Sequence, residues 1–102
     1  MRQVINGKMY NTDTAEFIAH NCQGGGVSDF RYYEEDLYRK KTGEFFCAGE
    51  GGPLSPYAEA CPTGGWYDGS GIRPLTIEET KAWMEEYGDI DTYIYCFGEP
   101  EE

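Results

Sequence analysis

The chain has 102 residues, of which 19 are acidic and 8 are Lys or Arg, so its formal charge is −11 at pH 7. A chain of this length can bury a modest core, and we expect a single domain over residues 1–102. Its content of 39% hydrophobic and 16% aromatic residues excludes a disordered acidic tail. A surface this negative repels anionic lipid and nucleic acid, so we expect neither membrane nor direct nucleic-acid binding.

The N-terminal residues lack the apolar core of a secretory signal, and no apolar run approaches the roughly 20 residues that span a bilayer. We therefore expect a soluble, cytoplasmic protein that is a monomer. A reducing compartment also disfavours disulfides, which matters for the four cysteines.

Two local patterns dominate the first quarter of the chain. Asn6-Gly7, between short apolar stretches, predicts a hairpin with a type I′ turn. Asp13 followed by Glu16 resembles a capping box and predicts a first helix, ended by the glycines at 24–26. The apolar residues expected on the buried face of this helix recur at helical spacing: Ala15, Ile18, Ala19 and Cys22.

A second hairpin is predicted from Phe30–Arg39 and Glu44–Gly49, with a turn at residues 41–43. The segment from Glu50 to Gly71 is rich in Gly, Pro and Ser and predicts a long loop, with one helical turn over Ser55–Ala60. A loop of this length in a compact domain is usually functional, mobile or held by a further group.

A second helix is predicted between a capping box at Thr76–Glu79 and a stop at Gly88. Alternation of large and small apolar residues over Thr92–Phe97 predicts a strand. The fold class is therefore α+β, with a small antiparallel sheet built from hairpins, two main helices and a long Gly/Pro-rich loop.

Negative charge is concentrated after Thr76, where nine acidic residues accompany Lys81 as the one basic residue. Glu85 and Glu86 fall in the last turn of the predicted helix, where the helix dipole disfavours them. The bland interpretation is a solvated, solubilising surface; the functional one is a mimic of phosphates that occupies a protein's nucleic-acid groove. The candidate partner-binding residues are Glu78, Glu79, Glu85, Glu86, Asp89 and Asp91.

The four cysteines lack the close spacing of a zinc knuckle, but the predicted elements orient all of them inwards. Two interpretations remain open: separate buried thiols that act as small hydrophobes, or one structural zinc that would also hold the long loop. The candidate zinc ligands are Cys22, Cys47, Cys61 and Cys96.

Catalysis is not expected. The chain has one histidine, and Ser70 lacks the spacing of a nucleophile elbow. Neither glycine run is followed by the Gly-Lys-Ser/Thr of a phosphate-binding loop. Trp66, in a loop, is either an aromatic contact for a partner or a lid on the core.

The stretch EEDLYRKKTGEFFCAGEGGPLSPYAEA, with YNTDTAEFIA before it and IRPLTIEETKAW after it, is similar to a family of small acidic proteins of Firmicutes phages and mobile elements. Some relatives look like type II-A anti-CRISPR proteins. The resemblance rests on Leu37-Tyr38, Lys41-x-Gly43, Phe45-Phe46 and Gly49-x-Gly51-Gly52, and it departs from the family at Cys47, where an apolar residue such as Leu is expected.

The resemblance implies, and the charge permits, a non-enzymatic anti-CRISPR protein that acts in a bacterial host cell. It would bind Cas9, which has a basic channel for guide RNA and target DNA, and block the loading of nucleic acid. Two other hypotheses remain: an accessory or structural protein of a mobile element that is acidic for solubility, and a small thiol- or metal-responsive protein.

Overall fold

The computed structural model describes residues 1–26 and 28–102 and has the α+β architecture expected from the sequence. A four-stranded antiparallel sheet forms its centre, and two helices follow at the C-terminal end. In chain order the elements are β1 (Arg2–Ile5), β2 (Lys8–Asn11), β3 (Glu16–Gln23), β4 (Tyr33–Arg39), β5 (Phe45–Gly51), β6 (Glu59–Ala60), β7 (Trp66–Tyr67), β8 (Gly69–Leu75), α1 (Ile77–Tyr87) and α2 (Ile90–Phe97).

The central sheet has the strand order β3-β4-β5-β8 and separates two apolar clusters. Side chains alternate between the faces of a strand, so neighbouring residues of β5 enter different clusters. Phe45 and Cys47 pack with Trp83 and Met84 of α1 on one face. Phe46 packs with Tyr10 of the β1–β2 hairpin on the other face. The sheet is thus covered by helices on one side and by the N-terminal hairpin on the other.

Both predicted hairpins and the helix after Thr76 are confirmed. Asn6 and Gly7 adopt positive φ angles of 51° and 79° between β1 and β2, as a type I′ turn requires. Strands β4 and β5 pair in antiparallel register around a turn that contains Gly43. At the start of α1, the Thr76 hydroxyl accepts from the backbone N–H of Glu79, whose carboxylate accepts from the N–H of Thr76.

The predicted first helix is wrong, because this segment forms β3 and pairs with β4. A β-bulge between Phe17 and Ala19 places Ile18 and Ala19, which are consecutive, against the same apolar cluster. The other two residues of the helical pattern do not share this cluster: Ala15 packs against the opposite one, and Cys22 is exposed. The residues before it form a turn, in which Asn11 rather than Asp13 accepts the backbone N–H groups of Thr14 and Ala15.

The predicted strand at Thr92–Phe97 is also wrong, because the segment belongs to α2. Asp89 caps this helix by accepting the backbone N–H of Thr92 at 2.7 Å. Tyr93 and Phe97, one turn apart, pack against the cluster under α1. A cap and a helical apolar stripe therefore outweigh the strand preference of the Tyr and Ile residues.

The long loop is shorter than predicted. Strands β6 and β7 form a small ladder within it, and β8 already begins at Gly69. The helical turn predicted over Ser55–Ala60 is wrong, since residues 53–57 form turns and β6 follows. Strand β8 lies at an edge of the sheet, which is the usual location of a proline such as Pro74 within a strand.

Candidate functional site: an acidic helical surface

The six candidate acidic residues lie on α1, on α2 or on the two-residue connection between them, and all are exposed. On α1 they lie opposite the buried side of the helix, which is formed by Thr80, Trp83 and Met84. We call these six residues the acidic helical surface: Glu78, Glu79, Glu85, Glu86, Asp89 and Asp91.

Two of the six carboxylates have a local structural role. Glu79 accepts the backbone N–H of Thr76 at 2.9 Å and Asp89 that of Thr92 at 2.7 Å. These hydrogen bonds favour the charged form, so they lower the pKa of both carboxyls below their ordinary values. The caps position the two helices and retain their negative charge.

The other four acidic residues, Glu78, Glu85, Glu86 and Asp91, have no ion-pair partner in residues 1–26 or 28–102. Lys81 is the one basic residue of the segment, and its Nζ lies 5.3 Å from the centroid of the Phe97 ring. The amine thus lies over an aromatic ring and forms no salt bridge with these carboxylates. These four carboxylates therefore form no ion pair within the described residues.

Several basic residues outside this surface, in contrast, have carboxylate partners. Lys8 and Lys40 both bind Glu44, at 2.9 and 3.1 Å. These two hydrogen-bonded amines lower the pKa of Glu44 to about 2. Arg39 binds Glu16 at 2.7 Å, an arrangement that Tyr95 completes by donating to the same carboxylate. With Arg73, which binds Glu35, four of the eight Lys and Arg residues thus form salt bridges with carboxylates outside the acidic helical surface.

A further carboxylate, missed by sequence reasoning, lies between the sheet and α1. Glu35 on β4 is 2% exposed and accepts four hydrogen bonds. Its Oε1 accepts from the Tyr57 hydroxyl at 2.6 Å and from the Arg73 guanidinium at 2.9 Å. Its Oε2 accepts from Trp83 Nε1 at 2.8 Å and from the Asn21 amide at 3.1 Å.

These four donors decide both the charge and the role of Glu35. Burial alone would raise the pKa of the carboxyl, but the hydrogen bonds outweigh it and lower the pKa below 4.5. Both oxygens are occupied by donors from the chain itself, so the group is not available to a substrate. Glu35 fastens β3, β8, α1 and the loop at Tyr57 to β4, which is a positioning role.

The position of Gly49 beside Tyr57 and Glu34 leaves no room for a side chain. A Cβ at Gly49 would lie 2.7 Å from Cζ of Tyr57 and 2.5 Å from the backbone oxygen of Glu34. Only glycine therefore lets the phenol reach Glu35. The glycine-rich element that carries the family resemblance thus secures the fold and identifies no binding residue.

The four cysteines do not form one cluster. Cys22, predicted on a buried helix face, is exposed on β3, whereas Cys47 is buried and Cys96 lies against the same apolar cluster. Burial raises the pKa of Cys47 and Cys96, while Thr63 lowers that of Cys61 through hydrogen bonds. In the part of the chain that the structure describes, no three Cys, His, Asp or Glu residues are grouped to hold a metal. The zinc site stays a prediction without a geometric basis.

Trp66 is 60% exposed on β7, so its interpretation as a lid on the core is wrong. The aromatic side chain is accessible, as is its neighbour Tyr67 at 47%. Neither residue belongs to the acidic helical surface, because both lie on the short β6–β7 ladder.

Comparisons with protein-family models, curated protein sequences and solved structures found no match to this chain. The proposed family therefore rests on the sequence elements given above. Neither of the two helices described here is long and apolar enough to cross a membrane.

Proposed function

We propose that the protein binds a basic, nucleic-acid-handling protein through the acidic helical surface and acts without catalysis. The candidate partner is Cas9, as the sequence resemblance implies, and the role is that of an anti-CRISPR inhibitor that blocks the loading of target DNA. The observation that carries the proposal is the set of four exposed carboxylates at Glu78, Glu85, Glu86 and Asp91, which form no salt bridge within the described chain.

Charge distribution supports a binding role over a purely solubilising one. Solubility depends on net charge and is served equally well by acids spread over the surface. Here the segment from residue 76 carries −8 of the total −11, although the first 75 residues contain ten of the 19 acids. Concentrated charge of one sign steers a partner of the opposite sign and orients it on approach.

A basic nucleic-acid channel provides the complementary surface. In Cas9 the guide–target duplex is held by positive side chains that contact its backbone. Carboxylates placed in such a channel would contact the same side chains that phosphates contact, and the bulk of the domain would exclude the nucleic acid. Binding of this kind weakens as salt increases, because exposed charges are screened over about 10 Å at 0.1 M salt.

The first experiment measures binding and inhibition together. Purified protein is passed over a sizing column with Cas9, with and without guide RNA, and target cleavage is measured in parallel. We expect co-elution at moderate salt, loss of target-DNA loading and reduced cleavage. Absence of co-elution together with intact cleavage would exclude Cas9 as the partner.

The second experiment tests the surface. One variant combines Glu78→Gln, Glu85→Gln, Glu86→Gln and Asp91→Asn, which preserves both helix caps. A matched control removes the same number of charges from exposed acids in residues 1–75. Its substitutions are Asp13→Asn, Glu50→Gln, Glu59→Gln and Asp68→Asn. We expect affinity for Cas9 to fall about tenfold or more in the helical variant and to change little in the control. Equal losses would show that net charge, and not this surface, is what matters.

A further inference from the structure

The corner between the two helices contains an apolar groove within the acidic helical surface. It has a volume of about 360 Å³ and is lined by Met84 and Gly88 at the end of α1, by Ile90 and Tyr93 on α2, and by Pro100 of the C-terminal tail, with Glu85 and Asp89 beside them. The buried Met84, 2% exposed, provides part of its floor.

Ile90 is the part of this groove that the fold itself does not use. It is the first residue of α2 and is 75% exposed. Ile90, Tyr93 and Phe97 follow each other at helical spacing, and the last two pack on the core while Ile90 extends past it. The apolar side of α2 therefore extends past the core and ends in an exposed residue, Ile90.

The charges beside the groove restrict what can fill it. Glu85 and Asp89 line it, and its lining contains no Lys or Arg among the described residues. An apolar centre with a charged rim is the usual anatomy of a protein-binding hot spot, in which the centre is desolvated and the rim orients the partner. Acidic rim residues select an apolar side chain that is flanked by Lys or Arg.

We propose that this groove receives an apolar side chain from a basic segment of the partner, so that binding depends on an anchor as well as on charge. The proposal rests on the proposed function, because it specifies how the acidic helical surface engages its partner. A second copy of this chain is a poor occupant, since its own acidic rim would face the same rim across the contact.

Substitution of Ile90 by Glu separates an anchor from simple electrostatics. Glu at the first position of a helix is favoured by the helix dipole, and Ile90 is exposed, so Ile90→Glu should leave the fold intact. If charge alone drove binding, the added carboxylate would preserve or strengthen it. The matched control is Ile77→Glu, which adds the same charge at the first position of α1, where Ile77 is 45% exposed and outside the groove.

The closing experiment measures the affinity of the wild-type protein and of both variants for Cas9 and for two synthetic helical peptides. One peptide combines Leu and Lys, and the other replaces each Leu by Ser at the same charge. We expect Ile90→Glu to weaken binding of Cas9 and of the Leu/Lys peptide about tenfold or more, and Ile77→Glu to change either by less than about twofold. The Leu/Lys peptide should also shift the NMR signals of Met84, Ile90 and Tyr93.

The possible results distinguish the two proposals. If Ile90→Glu leaves the affinity for Cas9 unchanged, the proposal that the groove binds an anchor is wrong and the proposed function is retained. If the protein binds the Leu/Lys peptide selectively and does not bind Cas9, the groove proposal is retained and Cas9 is excluded as the partner. Equal affinity for the two peptides would overturn the groove. Self-association of the wild type that Ile90→Glu abolishes would assign the groove to a second copy and overturn the basic partner.

Discussion

The two parts of the chain use the same acidic residue types in opposite ways. In residues 1–75, ten acids accompany seven basic residues, and salt bridges involve Lys8, Arg39, Lys40 and Arg73. In residues 76–102, nine acids accompany Lys81, which contacts an aromatic ring. In the sheet part, six of the ten carboxylates accept hydrogen bonds from the described chain: Glu16, Asp29, Glu34, Glu35, Asp36 and Glu44. Carboxylates in the helical part are partnered only where they cap a helix, and the rest are available to another molecule.

This difference separates acids that stabilise the fold from acids that do not. Glu35 stabilises the folded state because its carboxylate accepts hydrogen bonds from four donors. Glu85 and Glu86 lie in the last turn of α1, which contains no basic residue and whose dipole disfavours negative charge. Removal of the negative charge should therefore lower the free energy of unfolding at Glu35 and raise it at Glu85 and Glu86.

The largest expected effect is that of Glu35→Gln. The amide replaces one carboxylate oxygen by an NH₂ group, which then faces donors instead of accepting from them, and it leaves Arg73 without its charged partner. We expect the free energy of unfolding in urea to fall by about 3–5 kcal/mol. The control Glu50→Gln changes an exposed residue of β5 and should stay within about 0.5 kcal/mol of the wild type. Equal stability of both variants would contradict a structural role for the buried carboxylate.

A smaller effect is expected from acid. The pKa of Glu35 is lowered in the folded state from its ordinary value of 4.5, so the unfolded chain takes up the proton first. The stabilisation is complete above pH 4.5 and is lost as the pH falls through the folded-state pKa. The stability difference between wild type and Glu35→Gln should therefore narrow in acid, by at most about 1.4 kcal/mol per pH unit. A constant difference between pH 7 and pH 3 would show that the pKa is not lowered by folding.

The smallest effects concern α1 and have opposite signs. Glu85→Gln combined with Glu86→Gln should raise the free energy of unfolding by roughly 0.3–1 kcal/mol, because it removes negative charge from the C-terminal turn. Glu78→Gln should lower it by a similar or smaller amount, since this acid lies in the first turn. Thermal unfolding at low salt measures both. If both changes have the same sign, net charge and not position determines the effect.

Local signals were sufficient for some elements and failed for others. Asn6-Gly7 and the box at Thr76 and Glu79 fix their turn and helix start through adjacent residues, so they could be predicted from the sequence. The bulge in β3 depends on pairing with β4, which no local pattern reveals. Asp89, directly after a helix stop, was a signal for α2 that could have been used in place of the apparent alternation.

The acidic helical surface was also predictable, because the scarcity of basic residues after Thr76 is visible in the sequence. Which of its members are caps could be inferred only in part, from Glu79 in the capping box. Glu35 could not be predicted to be buried, since it stands between two other acids and its donors come from distant elements. The groove at Ile90 is formed by residues of α1, α2 and the C-terminal tail together, so the local sequence patterns did not predict it.

The hydrogen bonds of Glu35 also determine how the domain comes apart. Its donors lie 14, 22, 38 and 48 residues away along the chain, so the arrangement forms only when β3, the loop at Tyr57, β8 and α1 are all in place. Detachment of α1 alone would remove the Trp83 donor from Glu35 and the packing of Trp83 and Met84 on the sheet, which makes partial opening costly. Amide hydrogen exchange in α1 should therefore follow global unfolding. The acidic residues on that helix keep one arrangement for as long as the domain is folded.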